Sequence, residues 1–318
     1  MLQNVEQMLL LEYGIKALSL EAVPAGWSAS AWKVHTGSGD YFLKVYDKNK
    51  PSTKGWVERI DAYMPAVLWL NENTRLRGKM IAPILAKDGA YKKEDADYLY
   101  MVFPFIYGQT IGGGRLSPGQ AREIAQIVAE LHQYDTGIPV NTTSLRETFD
   151  VSFCTDLAGW LENTHQVDPM DDVFTEHKKE LIYAIAALER EAASLRNAPI
   201  RYALCHTDIH GWNLMQGESL FLIDWEGLRL APVEADLFSF TDTFFFADAW
   251  QDFMAVYQAA HQDYRVNEDA MCFFRLRRRL EDIHAFAQSI LKDNLSREEK
   301  DKALHYLKQE CGLLHGMQ

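Results

Sequence analysis

The chain is short of basic residues: 32 Lys and Arg stand against 45 Asp and Glu, a formal net charge of −13 at pH 7. Binding a nucleic-acid backbone needs clustered cations, so this balance argues against nucleic acid and favours a small, cationic partner. Cysteine is scarce as well. Cys154, Cys205, Cys272 and Cys311 lie far apart among apolar residues, without the paired spacing of a zinc ribbon or a disulfide framework. They read as buried thiols in a reducing cytoplasm. No stretch approaches the ~20 apolar residues needed to span a bilayer. The opening "MLQNVEQMLLLEYG" lacks the basic start and long apolar run of an export signal. A soluble, cytoplasmic protein with no membrane partner is expected, and its oligomeric state is left open.

What is present is ample core material, 47% apolar residues over 318 positions, enough for two domains or one two-lobed domain. The texture changes near residue 104. Before it, short β-type runs dominate: "AWKVHTGSGDYFLKVY" holds two strands around a Gly-Ser-Gly-Asp turn, and "MIAPILA" and "YLYMVF" are further candidates. One helical stretch, Ser52 to Leu70, interrupts them, and Pro65 is expected to kink it or to start a second helix. After residue 105 the periodicity is helical. Ser117-Pro118-Gly119-Gln120 is a capping-box start, and Ile124, Ile127, Val128 and Leu131 follow at 3.6-residue spacing. With no internal repeat, the boundary falls in "FPFIYGQTIGGG". A small β-rich lobe (1–104) is expected to precede a larger helical lobe (105–318).

The densest chemistry is "LCHTDIHGWNLMQGESLFLIDWE", Leu204 to Glu226. One reading is a metallohydrolase site on His206, Asp208 and His210. A catalytic zinc needs three convergent protein ligands, which five consecutive residues seldom supply, and no His-Glu-x-x-His pair completes the set. The other reading starts from a hairpin. Asn213 to Met215 and Leu220 to Ile223 flank a Gln-Gly-Glu-Ser turn, so Asn213 and Asp224 converge while Asp208 lies on the loop beside them. Two oxygen donors for Mg²⁺ and a neighbouring base suit phosphoryl transfer.

The pattern His-x-Asp-x-x-x-x-Asn, with "IDWE" following, resembles the aminoglycoside phosphotransferase family, relatives of the protein kinases. "LAPVEADLFSF" resembles that family's downstream Pro-x-x-x-Asp-Leu element. "FFRLRRRLEDIHAFAQSILKDN" resembles the C-terminal helix of its spectinomycin-phosphorylating members. The resemblance implies an α+β, protein-kinase-like two-lobed fold that uses ATP or GTP with Mg²⁺. It implies Asp208 as catalytic base and Asn213 and Asp224 as metal ligands, with His206 structural. Lys44 of "YFLKVY" would reach the α- and β-phosphates, paired with a helical carboxylate. Glu58 and Asp61 share one helix face, and Glu58 is the choice. "PAGWSASAW" takes the place of the glycine-rich lid with only Gly26, leaving Ser28 and Ser30 as phosphate donors. Pro104, Phe105 and Ile106 would face adenine.

Only 12 residues separate Asp224 from Asp236, too few for a peptide-docking segment, and Thr207 replaces the arginine that would bind a phosphorylated loop. The acceptor is therefore expected to be small, meeting Asp208, Trp225 and Glu226. Asp242, Asp248 and Asp252, set among aromatics, could hold an aminated ring, though aromatics at helical spacing usually fill a core. "RLRRRLED" reads as helix-surface ion pairs. An aminoglycoside or spectinomycin-like aminocyclitol is the first choice of acceptor. A small-metabolite kinase acting on choline, methylthioribose or homoserine is the alternative, and a nucleotide-binding pseudokinase a third reading. All four chemical positions carry competent residues, which gives no reason to prefer the last.

Overall fold

The computed structural model describes residues 2–24, 29–163, 169–242 and 246–316. Helix α1 (Leu2–Met8) runs into a π-helical turn that Gly14 ends in the left-handed region at φ 73°. Strands β1 (Ser19–Val23), β2 (Ser30–His35), β3 (Asp40–Asp47), β4 (Lys93–Glu94) and β5 (Tyr98–Pro104) form an antiparallel sheet in the order β1-β2-β3-β5-β4. The period of two divides β3 between two cores. Leu43 and Val45 join Val34, Tyr100 and Val102 beneath Val5 and Leu9 of the N-terminal helical segment. Tyr46 turns the other way into the main core, and Lys44 shares its face.

Helix α2 (Pro51–Asn73) lies between β3 and β4 in sequence. It runs through Pro65 as one helix of 23 residues, so the expected second helix does not form. Proline removes the hydrogen bond to the carbonyl four residues back, on Asp61, and that residue is exposed where water can serve it. Ile60, Tyr63, Met64, Val67 and Leu70 recur at helical spacing and are all buried in the main core.

The larger part is mainly helical. Strand β6 (Gln109–Thr110) leads to α3 (Pro118–Leu131), whose capping box on Ser117 and Gln120 forms as expected. Next come α4 (Phe153–Glu162), α5 (Asp171–Glu176), α6 (Lys178–Leu195), and strands β7 (Tyr202–Cys205), β8 (Leu214–Gln216), β9 (Leu220–Leu222) and β10 (Arg229–Pro232). Helices α7 (Glu234–Leu237), α8 (Trp250–Ala260), α9 (Glu268–Lys292) and α10 (Arg297–Leu313) complete the chain. Two small antiparallel sheets, β10-β7 and β6-β8-β9, carry the loops of interest. Helix α9 is the hub, touching α2, α4, α6, α7 and α10. It buries Phe273, Leu280 and Ile283 completely, each contributing roughly 1.5–3 kcal/mol against leaving it exposed.

The architecture is the expected α+β, kinase-like one, a small sheet lobe on a larger helical part. One expectation about the thiols is corrected: Cys154, Cys205 and Cys311 are buried, but Cys272 is exposed on α9. Among the described residues no helix is long and apolar enough to cross a membrane.

Candidate active site

The chain leaves β7 at Cys205 and enters the loop carrying His206, Thr207 and Asp208. A single carboxylate shapes this loop. Asp236 accepts the backbone N–H of His206 at 2.9 Å and that of Thr207 at 2.5 Å, and His132 Nε2 lies 3.0 Å from it. Thr207 is held at φ 68°, a left-handed conformation that a β-branched residue takes only under constraint. Its hydroxyl supplies a further tether, donating to the Gly227 carbonyl at 2.8 Å. A Cβ on Gly227 would lie 2.7 Å from the His206 carbonyl oxygen, so only glycine lets the two loops approach this closely.

The β8–β9 hairpin does what its sequence suggested. Ile223 N–H donates to the Asn213 carbonyl at 2.9 Å, which brings Asn213 beside Asp224, itself left-handed at φ 64°. Asn213 Nδ2 donates to Asp208 Oδ2 at 2.9 Å and to the Asp208 carbonyl at the same distance. Lys44 reaches across from β3 to Asp224 Oδ1 at 3.1 Å and to Glu226. The Tyr46 hydroxyl also donates to Glu226. Lys44, Asp208, Asn213 and Asp224 are thus gathered at one place from β3, the loop after β7 and the two ends of the hairpin.

The electrostatics follow from partial burial. Burial pulls the Lys44 ammonium down, but Asp224 and Glu226 more than offset it and hold its pKa above the ordinary value. Burial pushes Asp208 up, yet Arg278 first and His210 next hold its carboxyl well below the usual range. Arg278 donates from Nη1 to Asp208 Oδ1 and from Nε to Asp282 at 2.8 Å, while His210 Nε2 lies 3.3 Å from the same Oδ1. Asp208 is therefore a persistent anion, suited to orienting a hydroxyl.

The structure corrects several expectations. Glu58 does not pair with Lys44: its side chain is 63% exposed and lies 3.9 Å from Lys54. Asp61 accepts from Tyr91 and Lys92. The counter-charge of Lys44 comes from Glu226 instead, so Glu226 faces the lysine rather than an acceptor. Trp225 is buried, donates to the Leu222 carbonyl and packs edge-on against His206, which removes it from any ligand-facing wall. Asp242, Asp248 and Asp252 are engaged by Arg279, Arg115 and Arg122 respectively, and Asp242 is buried.

Ser28, like Gly26, lies outside the described residues, and Ser30 is exposed at the start of β2. Pro104 ends β5 opposite Tyr41, with Phe105 and Ile106 half-buried beyond it and Lys33 Nζ 4.4 Å above the Phe105 ring. The metallohydrolase trio does not converge. His206 Nδ1 accepts from the Asp208 N–H and its Nε2 donates to the Ile223 carbonyl, leaving no lone pair for zinc. Among the described residues only His132, Cys205 and Asp236 are close enough to share a metal, and two of the three already hold the loop together.

The donor set at the hairpin fits a hard cation. With Asn213 Nδ2 committed to Asp208, its amide oxygen is turned away, and Asp224 keeps Oδ2 clear of Lys44 with the side chain 34% exposed. Two oxygen donors without sulfur or nitrogen suit Mg²⁺ carrying waters and phosphates. Nothing in the sequence signalled Arg278 at Asp208 or Glu226 at Lys44; both contacts join residues at least 70 positions apart.

A profile of the phosphotransferase enzyme family matches residues 19–274. Among solved structures, a spectinomycin phosphotransferase in complex with ADP and spectinomycin is similar at a TM-score of 0.81 and 18% identity, covering 99% of this chain and 98% of that one. A microcompartment-associated aminopropanol kinase is similar at 0.68 and 16%, covering 98% and 96%. A thermostable aminoglycoside phosphotransferase mutant in a ternary complex with AMP-PNP and hygromycin B is similar at 0.56 and 14%, covering 99% and 98%. At these identities the likeness is one of fold. No curated protein sequence matches the chain.

Proposed function

The chain belongs to the phosphotransferase enzyme family, and from that premise we propose that it transfers the γ-phosphoryl group of Mg·ATP to a hydroxyl of a small molecule. The observation that carries this reading is the convergence of Lys44, Asp208, Asn213 and Asp224. Lys44 would hold the α- and β-phosphates, with Glu226 and Tyr46 keeping its ammonium in place. Asn213 and Asp224 would hold Mg²⁺, which when bound neutralises charge between phosphate oxygens. Asp208 would accept the hydrogen bond of the acceptor hydroxyl, align it and take its proton late in transfer. Such chemistry is mostly positioning and fixed charge, which a site held by tethers on both loops can supply.

The acceptor is small because the segment after Asp224 has no room for a peptide platform: β10 begins at Arg229 and is paired with β7. We take it to be a cationic alcohol, a spectinomycin-like aminocyclitol or an aminoglycoside first. Supporting this are the net charge of −13, which attracts cations, and Asp208, Asp224 and Asp282, each with a side chain 24–34% exposed. The likeness to an aminopropanol kinase favours a second reading, a small metabolic alcohol such as aminopropanol, choline, methylthioribose or homoserine. Phosphate machinery does not fix the acceptor.

A coupled ADP-release assay over spectinomycin, aminoglycosides and these small alcohols tests the proposal. Mg²⁺-dependent turnover on an amino sugar, abolished by Asp208→Ala with nucleotide binding retained, is expected. Turnover confined to one metabolic alcohol transfers the assignment to the second reading. Nucleotide binding without turnover on any acceptor or on water points to the pseudokinase.

A further inference from the structure

The phosphotransfer reading leaves one contact at its centre unused. Arg278 of α9 lies on Asp208 Oδ1 and is itself fixed by Asp282, one turn along the same helix. Surface arginines four residues from an aspartate are ordinary, and such a pair needs no third partner. Here the guanidinium spans two carboxylates, and one of them is the base. Its side chain is 25% exposed, that of Asp208 30% and that of Asp282 24%, so the three form a connected, part-exposed strip.

We propose that Arg278 is the positioning residue of the base: held by Asp282, it occupies Asp208 Oδ1 and leaves one face of Oδ2 as the docking point for the acceptor hydroxyl. The argument is one of valence. Each carboxylate oxygen offers two acceptor directions. Arg278 Nη1 takes one at Oδ1, and His210 Nε2 lies 3.3 Å from the same atom. Asn213 Nδ2 takes one direction at Oδ2, at 2.9 Å. The remaining direction at Oδ2 is where a hydroxyl can donate. Fixing a carboxylate at three points also prevents rotation about its Cβ–Cγ bond, so acceptor alignment relies on no mobile group. Arg278 acts through Asp208, and the proposal rests on Asp208 being the base.

Two measurements test it. The first needs no acceptor, nucleotide or metal: thermal unfolding of Asp208→Asn, Arg278→Ala and the double variant. Coupled residues should lower the midpoint less together than the sum of their separate shifts. The second is hydrolysis of Mg·ATP with water as the acceptor, for wild type, Asp208→Ala, Arg278→Ala, Arg278→Lys and Asp282→Asn. Arg278→Ala should lower kcat about tenfold or more while KM for ATP stays within about twofold, because the nucleotide side is untouched. Arg278→Lys should recover part of the rate, free guanidinium should rescue Arg278→Ala but not Asp208→Ala, and Asp282→Asn should show a smaller loss. Additive unfolding shifts, or a wild-type kcat in Arg278→Ala beside an inactive Asp208→Ala, overturn the proposal and leave the phosphotransfer reading standing. Turnover indifferent to both substitutions removes that reading and this proposal with it.

Discussion

The Lys44 ammonium rests on the carboxylate of Glu226, 182 positions away in the chain, and not on a residue of the helix that follows its own strand. Glu226 lies two residues beyond Asp224, so one short loop provides both carboxylates that meet the lysine. Helix α2 is thereby released from an electrostatic duty and contributes apolar packing instead, through Tyr63, Met64 and Val67.

Glu226→Ala is expected to strand the Lys44 charge beside Asp224 alone. Removing one partner of a buried pair costs about 3–5 kcal/mol, so urea denaturation should show a large loss, together with weakened ADP binding in calorimetry. Glu58→Ala, on the exposed face of α2, should change stability by less than about 0.5 kcal/mol and leave ADP binding intact. The reverse ranking would restore the helical carboxylate.

Asp208→Ala and Asp224→Ala should each lower ADP release by about two orders of magnitude or more, with circular dichroism spectra like wild type. Asp224 is 34% exposed on its side chain and Asp208 30%, so neither is a core residue whose loss would unfold the chain. Rates near wild type in either variant would sink the assignment.

Asp236→Asn tests the support of the loop. The carboxylate, itself buried, receives two backbone amides and lies against the buried His132, and an amide offers only one oxygen in return. Stability should fall by about 1.5–3 kcal/mol, the worth of a charge-assisted hydrogen bond. Thr207 would no longer be held at φ 68°, so turnover should fall too. Unchanged urea midpoints and rates would show the left-handed turn to be self-supporting.

His206 sets an acid limit. Burial lowers its pKa from 6.5, so the folded loop keeps the ring neutral while the unfolded chain takes up a proton below pH 6.5. The unfolded state then binds more protons, and stability falls with pH by up to about 1.4 kcal/mol per unit until the folded-state pKa is reached. His206→Gln should flatten this part of the stability curve measured by urea titration. A slope equal to wild type would assign the loss to other groups.

What was legible in the sequence was local. The approach of Asn213 to Asp224 follows from a hairpin that its own turn residues specify, and the capping box from the four residues Ser117 to Gln120. The facing of Lys44 and Tyr46 follows from the alternation of one strand. What was hidden is long-range. The run from Arg275 to Asp282 has the spacing of surface ion pairs, and the pairs from Arg277 to Glu281 and Arg278 to Asp282 do form. Yet Arg279 is buried between Asp242 and Glu310, and Arg278 has a second partner that only the packing of α9 against the loop supplies. Glu58 is the helical carboxylate that the family resemblance implies for Lys44, whereas the folded chain supplies Glu226 from a loop that no local pattern connects to β3. Trp225 stands beside Asp224 but is buried, because the left-handed Asp224 turns the chain into a short 3-10 turn that begins at Trp225.

The antiparallel pairing of β7 with β10, Cys205 opposite Arg229, ties the strand that enters the Asp208 loop to the strand that leaves the Asp224 loop. In kinases that are switched, the corresponding stretch is free to swing and is ordered by a covalent mark. Here the same stretch is one edge of a sheet, already hydrogen-bonded, with Thr207 where a phosphate-reading arginine would stand. A segment built this way is already ordered by main-chain hydrogen bonds, and its position needs no covalent mark to set it.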